Sequence, residues 1–294
     1  MFDFGLMFRL LGLDFVQTAL LAAAVLGVVA GVLGPLIVMR RMSFAVHGTS
    51  ELAFTGAAGA LLLGVGVEYG ALGGAVVAAL LLAFLGSRES DRDSVIGVIL
   101  AFGLGLGVLL LSFYQGRSTN KFGILIGQIV AVDRTNLNVL MIASALVMLV
   151  LAVIYRPLLF ASVDPAVAVA RGVPVRLLAL VFSVLVGVAT AFGVQIVGSL
   201  LVVSLMVTPA AAAARVTASP WKATVLAVIF AEVSALGGIV LSLAPGKPVS
   251  AFVTAISFAI YLGCRLVAVI RDRRRRVPAV SESGARPVSP VPLG

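Results

Sequence analysis

The chain has 294 residues, of which 61% are hydrophobic and only 11% charged, with a mean hydropathy of +1.20. This excludes a soluble globular domain, where about a quarter of residues are charged, and identifies an integral membrane protein. The net charge of +9 reads as Lys and Arg gathered in cytoplasmic loops, not as a surface for nucleic acid. The single cysteine, Cys264, excludes an internal disulfide and any multi-cysteine metal site.

Residues 1–16 carry Asp3, Arg9 and Asp14 among apolar side chains and lack the features of a signal peptide. They read as an interfacial segment. From 17 to 270 the chain reads as one transmembrane domain, an all-α polytopic bundle. Nine apolar segments are long enough to span: 17–38, 44–64, 70–86, 95–113, 136–155, 175–195, 198–214, 222–243 and 249–270. Nine crossings with the N-terminus outside and the C-terminus in the cytoplasm put sixteen Lys/Arg inside and five outside. An eight- or ten-span count places at least one basic cluster on the wrong side. Three glycine pairs, Gly27/Gly31, Gly70/Gly74 and Gly103/Gly107, have the GxxxG spacing that lets helices approach closely.

The second segment holds the only histidine, His47, and Glu51 four residues later. At that spacing both side chains lie on one helical face. Ser43 and Thr55 extend the face into a polar stripe, and Ser50 lies beside it. Glu51 should lie about 15 Å from Arg41, near the bilayer midplane. Ionisable groups at that depth are functional candidates and must face protein or a water-filled path. Imidazole with carboxylate suits a divalent transition metal such as zinc, manganese or iron. Two ligands are too few for a closed site, so a symmetric partner or a nearby third ligand would complete it. The alternative is that the two side chains simply hydrogen-bond each other or a neighbouring helix.

Further along, residues 114–135 read as an external loop with a short or re-entrant helix near Phe122 to Val132. In 161–176, Asp164 is a good N-cap, Pro165 suits the first helical position, and Gly172 suits the stop. A short capped helix is expected there, either a docking element for a soluble partner or a well-made turn. Gln195, in the sixth span, suits a helix–helix hydrogen bond. A second buried acid, Glu232, lies ten residues past Lys222 and so at a depth similar to Glu51. It could be a third ligand, a proton carrier, or a locally hydrogen-bonded acid. Residues 244–248, APGKP, form a tight outer turn. RDRRRR at 271–276 opens a basic and disordered tail, 271–294, anchored on anionic lipid.

No GxxxxGK[ST], HExxH or GxSxG motif occurs, so no catalytic residue is assigned and ATP hydrolysis is not expected on this chain. A transport scaffold is favoured over an intramembrane metalloenzyme. A proton-coupled secondary transporter, with Glu51 or Glu232 as the coupling acid, is the alternative.

Four stretches together resemble one family: MRRMSF at 39–44, ESDRDSVIGVILAFGLGLGVLLLS at 89–112, DPAVAVARGVPVRLL at 164–178 and VQIVGSLLVVSLMVTPAAAAR at 194–215. The chain resembles the membrane permeases of bacterial ABC importers for zinc, manganese and iron. The resemblance implies a homodimer in the bacterial cell membrane with no permanently bound cofactor. It also implies a separate cytoplasmic ATP-binding subunit and an extracytoplasmic metal-binding protein that delivers the ion. The helix at Asp164, Pro165, Ala168, Arg171 and Gly172 would be the coupling element seated in the ATPase. The metal role carries onto His47 and Glu51, with Glu232 as a third candidate. One departure stands out. After MxFxxx the family usually has aspartate and, four residues on, histidine, whereas this chain has His47 and then Glu51.

Overall fold

A computed structural model of the chain describes residues 10–85, 89–116, 134–198, 202–243, 245 and 248–275. The expected re-entrant helix near 122–132, most of the APGKP turn and the tail from Val277 lie outside the described residues, as do residues 1–9. Among the described residues the fold is helical without strands: α1 Asp14–Met39, α2 Ser43–Leu63, α3 Val67–Leu85, α4 Glu89–Phe113, α5 Arg134–Val163, α6 Pro165–Ala170, α7 Val175–Val197, α8 Val202–Val216, α9 Pro220–Leu243 and α10 Val249–Arg275.

The nine expected spans correspond to α1–α5 and α7–α10, with α6 as the expected short helix. Six of them (α1, α4, α5, α7, α9 and α10) are long and apolar enough to cross a membrane on those grounds alone, and two shorter apolar helices lie at 67–82 and 202–216. The ninth, α2, has 21 residues, but its polar stripe dilutes its hydropathy. Helix α5 runs beyond the expected end at 155, through Pro157 to Val163. Proline removes one backbone hydrogen bond. Burial of Leu158 and Ala161 beyond it carries the helix onward.

Helix α2 lies inside the bundle, against α3, α4, α7 and α8, while α1 packs on α5, α7, α8 and α9. Lipid tails give apolar helices no hydrophobic reason to associate, so close backbone packing must hold them. All three glycine pairs serve this. A methyl on Gly27 would lie 2.6 Å from Glu232 Oε1, and one on Gly31 would strike the backbone of Val228, both on α9. Gly74 abuts the Leu52 carbonyl of α2, and Gly70 meets Gly56 across the same seam. Gly103 of α4 would bring a methyl 3.3 Å from Glu51 Cβ, and Gly107 abuts Phe54.

Side-chain bonds tie several helix termini to one end of the bundle. Arg40 donates to Ser162 Oγ at 3.0 Å and lies 5.6 Å over the Phe182 ring. Arg271 donates to the Val216 carbonyl at 2.8 Å. The termini meeting there carry Arg41, Arg156, Arg171, Arg176, Arg215 and Lys222, all in loops that the charge pattern assigns to one side of the membrane. At the opposite end Arg134 pairs with Asp14 at 2.7 Å. Both partners are well exposed, so this pair adds little stability.

Candidate functional site

Helix α2 begins after a three-residue turn, Arg40–Met42. The Met42 N–H donates to Ile37 O at 2.9 Å and the Arg41 N–H to Val38 O at 3.1 Å, satisfying the last carbonyls of α1. Arg41 takes a left-handed φ of 53°, a conformation that costs a side-chain-bearing residue roughly 1–2 kcal/mol. The turn delivers Ser43, His47, Glu51 and Thr55 in register along α2, facing the protein interior as their spacing requires.

Glu51 is 1% exposed, Ser50 0% and Thr55 8%, and His47 is half-buried. The hydroxyls around them bond to backbone carbonyls. Thr49 donates to Ala45 O at 2.9 Å and Ser50 to His47 O at 2.7 Å. Thr55 is within reach of both Glu51 O at 2.8 Å and Gly103 O at 2.5 Å. Such local bonding is the usual resort of hydroxyls inside helices, and it takes up their protons. His47 Nδ1 and Glu51 Oε2 are buried without a hydrogen-bond partner among the described residues. Among the described residues neither atom makes the mutual or neighbouring hydrogen bond of the alternative reading. Buried polar atoms without partners are rare and call for an explanation. An imidazole nitrogen and a carboxylate oxygen one helical turn apart can act together on a cation in transit.

Glu232 takes another place. It is half-buried on α9 with its carboxylate against Gly27 of α1, and its Oε1 has no partner among the described residues. Helix α9 packs mainly on α1, α8 and α10. Among the described residues no three His, Cys, Asp or Glu side chains come together as a metal-holding group. The sequence places Glu51 and Glu232 at similar depth, but one chain does not join them into one cluster. Gln195, expected to bond across helices, has an amide nitrogen without a partner among the described residues.

The short helix α6 forms as its residues predict. Asp164 Oδ1 accepts from the Val167 N–H at 3.0 Å, and Pro165 occupies the first turn. The Val173 N–H donates to Ala168 O at 3.0 Å and the Gly172 N–H to Val169 O at 2.9 Å, with Gly172 at φ 78°. This is the paired closure that favours glycine. Ala168 is fully buried, whereas Val167 and Val169 are exposed. The Arg171 guanidinium lies 5.7 Å over the Phe160 ring. The result is a short helix seated on α5 and α7 by one alanine, with two valines turned outward.

Sequence reasoning singled out Gly103 as a close-packing glycine without naming Glu51 as what it packs on, and it missed the Arg40–Ser162–Phe182 anchor. The GxxxG spacing pointed to the first, while nothing local to Arg40 signalled the second.

The ABC 3 transport family matches residues 12–268. The chain belongs to the ABC 3 transport family. Among its relatives, the manganese transport system membrane protein MntC of Halalkalibacterium halodurans is 32% identical over 80% of this chain and 80% of its own. MntC of Listeria monocytogenes is 31% identical over 90% of this chain and 96% of its own. Among solved structures, PsaBC from Streptococcus pneumoniae in complex with a Fab superposes with a TM-score of 0.81 at 26% identity, covering 91% of this chain and 99% of that one. As an ABC 3 permease the chain is a transport subunit and not an enzyme. The helical bundle and its near-complete match to that chain are the fold the sequence resemblance implied.

Proposed function

We propose that this chain forms the membrane path of an ATP-driven importer for a divalent transition metal, with manganese as first choice and zinc as the competitor. The observation that carries the reading is the pair of atoms, His47 Nδ1 and Glu51 Oε2, that have no hydrogen-bond partner among the described residues, on a helix enclosed by protein. Manganese is favoured because the relatives described above are named manganese transporters and because a carboxylate oxygen is a hard donor. A weak two-donor half-site also suits transport, since the ion must leave again.

In this reading two copies of the chain face each other, so that each supplies one imidazole and one carboxylate. The basic end of the bundle lies in the cytoplasm, leaving Asp14 outside and the C-terminus inside, which is what the excess of Lys and Arg favours. Helix α6, with Asp164, Pro165, Ala168, Arg171 and Gly172, docks on a cytoplasmic ATPase subunit. A separate extracytoplasmic protein hands over the metal. ATP binding and hydrolysis then switch the path between outward- and inward-facing states. Glu232, whose Oε1 has no partner among the described residues, is included as a third acid acting from the α1–α9 seam.

Uptake of radiolabelled manganese by cells carrying the chain with its ATPase tests this. His47→Ala and Glu51→Ala should each lower uptake by at least the roughly tenfold loss that even outer-sphere partners of metal ligands cost. Membrane levels and ATPase association should be unchanged. Normal manganese and zinc uptake by both variants would sink the assignment. Glu232→Gln in the same assay decides whether that acid serves the path or only the α1–α9 seam.

A further inference from the structure

A cleft of about 540 Å³ opens on the flank of the bundle between α1, α5 and α9, remote from the stripe on α2. Its walls include Val32, Leu151, Tyr155, Trp221, Val225 and Ile229. Thr224 also lines it, but its hydroxyl donates to Pro220 O at 3.0 Å. The cleft therefore offers water little, and it suits a hydrocarbon chain. Trp221, Val225 and Ile229 follow one another at one-turn spacing along α9 and are exposed. The rise from Trp221 to Ile229 is about 12 Å, close to the roughly 15 Å hydrocarbon depth of one leaflet.

One end of this cleft is chemically distinct. Tyr155 and Trp221 stand at the basic end of the bundle, the aromatic pairing typical of a membrane–water interface. Arg156 and Lys222 follow them directly in sequence and are both exposed. Basic side chains beside an apolar slot between transmembrane helices form the usual site for an acidic lipid headgroup. A second copy of the chain, seated here by a two-fold axis, would bring its own Arg156 and Lys222 toward these charges. An anionic lipid would neutralise them.

We propose that the α1–α5–α9 cleft is a binding site for an anionic phospholipid, with an acyl chain along Trp221, Val225 and Ile229 and the headgroup phosphate at Arg156 and Lys222.

The chain has one tryptophan, so Trp221 reports on this site alone. The purified full chain is reconstituted in vesicles of phosphatidylcholine with brominated acyl chains, which quench tryptophan at contact. Fluorescence is then followed as unbrominated phosphatidylglycerol or unbrominated phosphatidylcholine replaces the brominated lipid. The expected result is recovery at a several-fold lower mole fraction of phosphatidylglycerol, with roughly fivefold preference for each basic side chain engaged. In Arg156→Gln/Lys222→Gln the two curves should coincide. In Ala152→Phe, which crowds the cleft wall, both the quenching and the preference should fall. Should Ala152→Phe fail to fold, the charge variant decides alone. Coincident curves in the unaltered chain, an undiminished preference in the charge variant, or no quenching of Trp221 (protein covering the cleft) would each overturn the proposal.

Discussion

Glu51 is enclosed on every side and yet keeps one carboxylate oxygen without a partner among the described residues. Such an atom lowers stability by about 1–3 kcal/mol relative to a satisfied or apolar replacement. A group kept for packing would not carry that cost, whereas a group kept for transport can. The two roles predict opposite results for Glu51→Leu, which keeps the bulk and removes the orphaned oxygen. A transport role predicts a melting temperature equal to or above that of the unaltered chain, together with loss of metal uptake. Thermal unfolding in detergent at a fixed scan rate, beside the uptake assay, reads both quantities. A large fall in melting temperature would return Glu51 to a structural role.

At the scale of elements the fold depends on where glycine sits, and glycines of neighbouring helices can be told apart. On α3, Gly74 faces the carbonyl oxygen of Leu52, a backbone atom that cannot turn aside. On α4, a methyl at Gly97 would meet nothing within 4 Å. Gly74→Ala should therefore cost about 1–3 kcal/mol through overpacking, measured as a lower melting temperature. Gly97→Ala should be neutral or stabilising by up to about 1 kcal/mol, since alanine is the better helix former. Equal effects would mean that the α2–α3 seam does not depend on close approach. These elements also mark what the sequence can disclose. The polar stripe, the GxxxG pairs and the capped helix at 164–172 were legible because each is a local pattern with a single geometric solution. The pairing of Glu232 with Gly27 was not, because no residue near either one names its partner across some two hundred positions. Nor was the extension of α5 through Pro157, where distant packing overrides a local helix breaker.

At the scale of the whole molecule, the proposed transport requires that motion at the ATPase reach α2 through rigid pieces. Helix α6 rests through Ala168 on α5 and α7, α5 is joined to the start of the α1–α2 turn by Arg40 and Ser162, and α7 packs on α2. A push on α6 thus has a continuous, well-packed route to His47 and Glu51. The route requires that the exposed face of α6 meet the ATPase. With Cys264→Ala removing the one native thiol, Val169→Cys places a thiol on that face, where Val169 is 62% exposed. Leu63→Cys, at 79% exposed, places one about 30 Å away at the far end of α2. In membranes holding chain and ATPase together, a bifunctional thiol–amine cross-linker should join the ATPase to the chain through Val169→Cys and not through Leu63→Cys. Asp164→Ala, which removes the N-cap at about 1 kcal/mol, should weaken that cross-link and lower transport while leaving the bundle's melting temperature nearly unchanged. Cross-linking at Leu63 and not at Val169 would place the ATPase at the opposite face and reverse the orientation of the whole bundle.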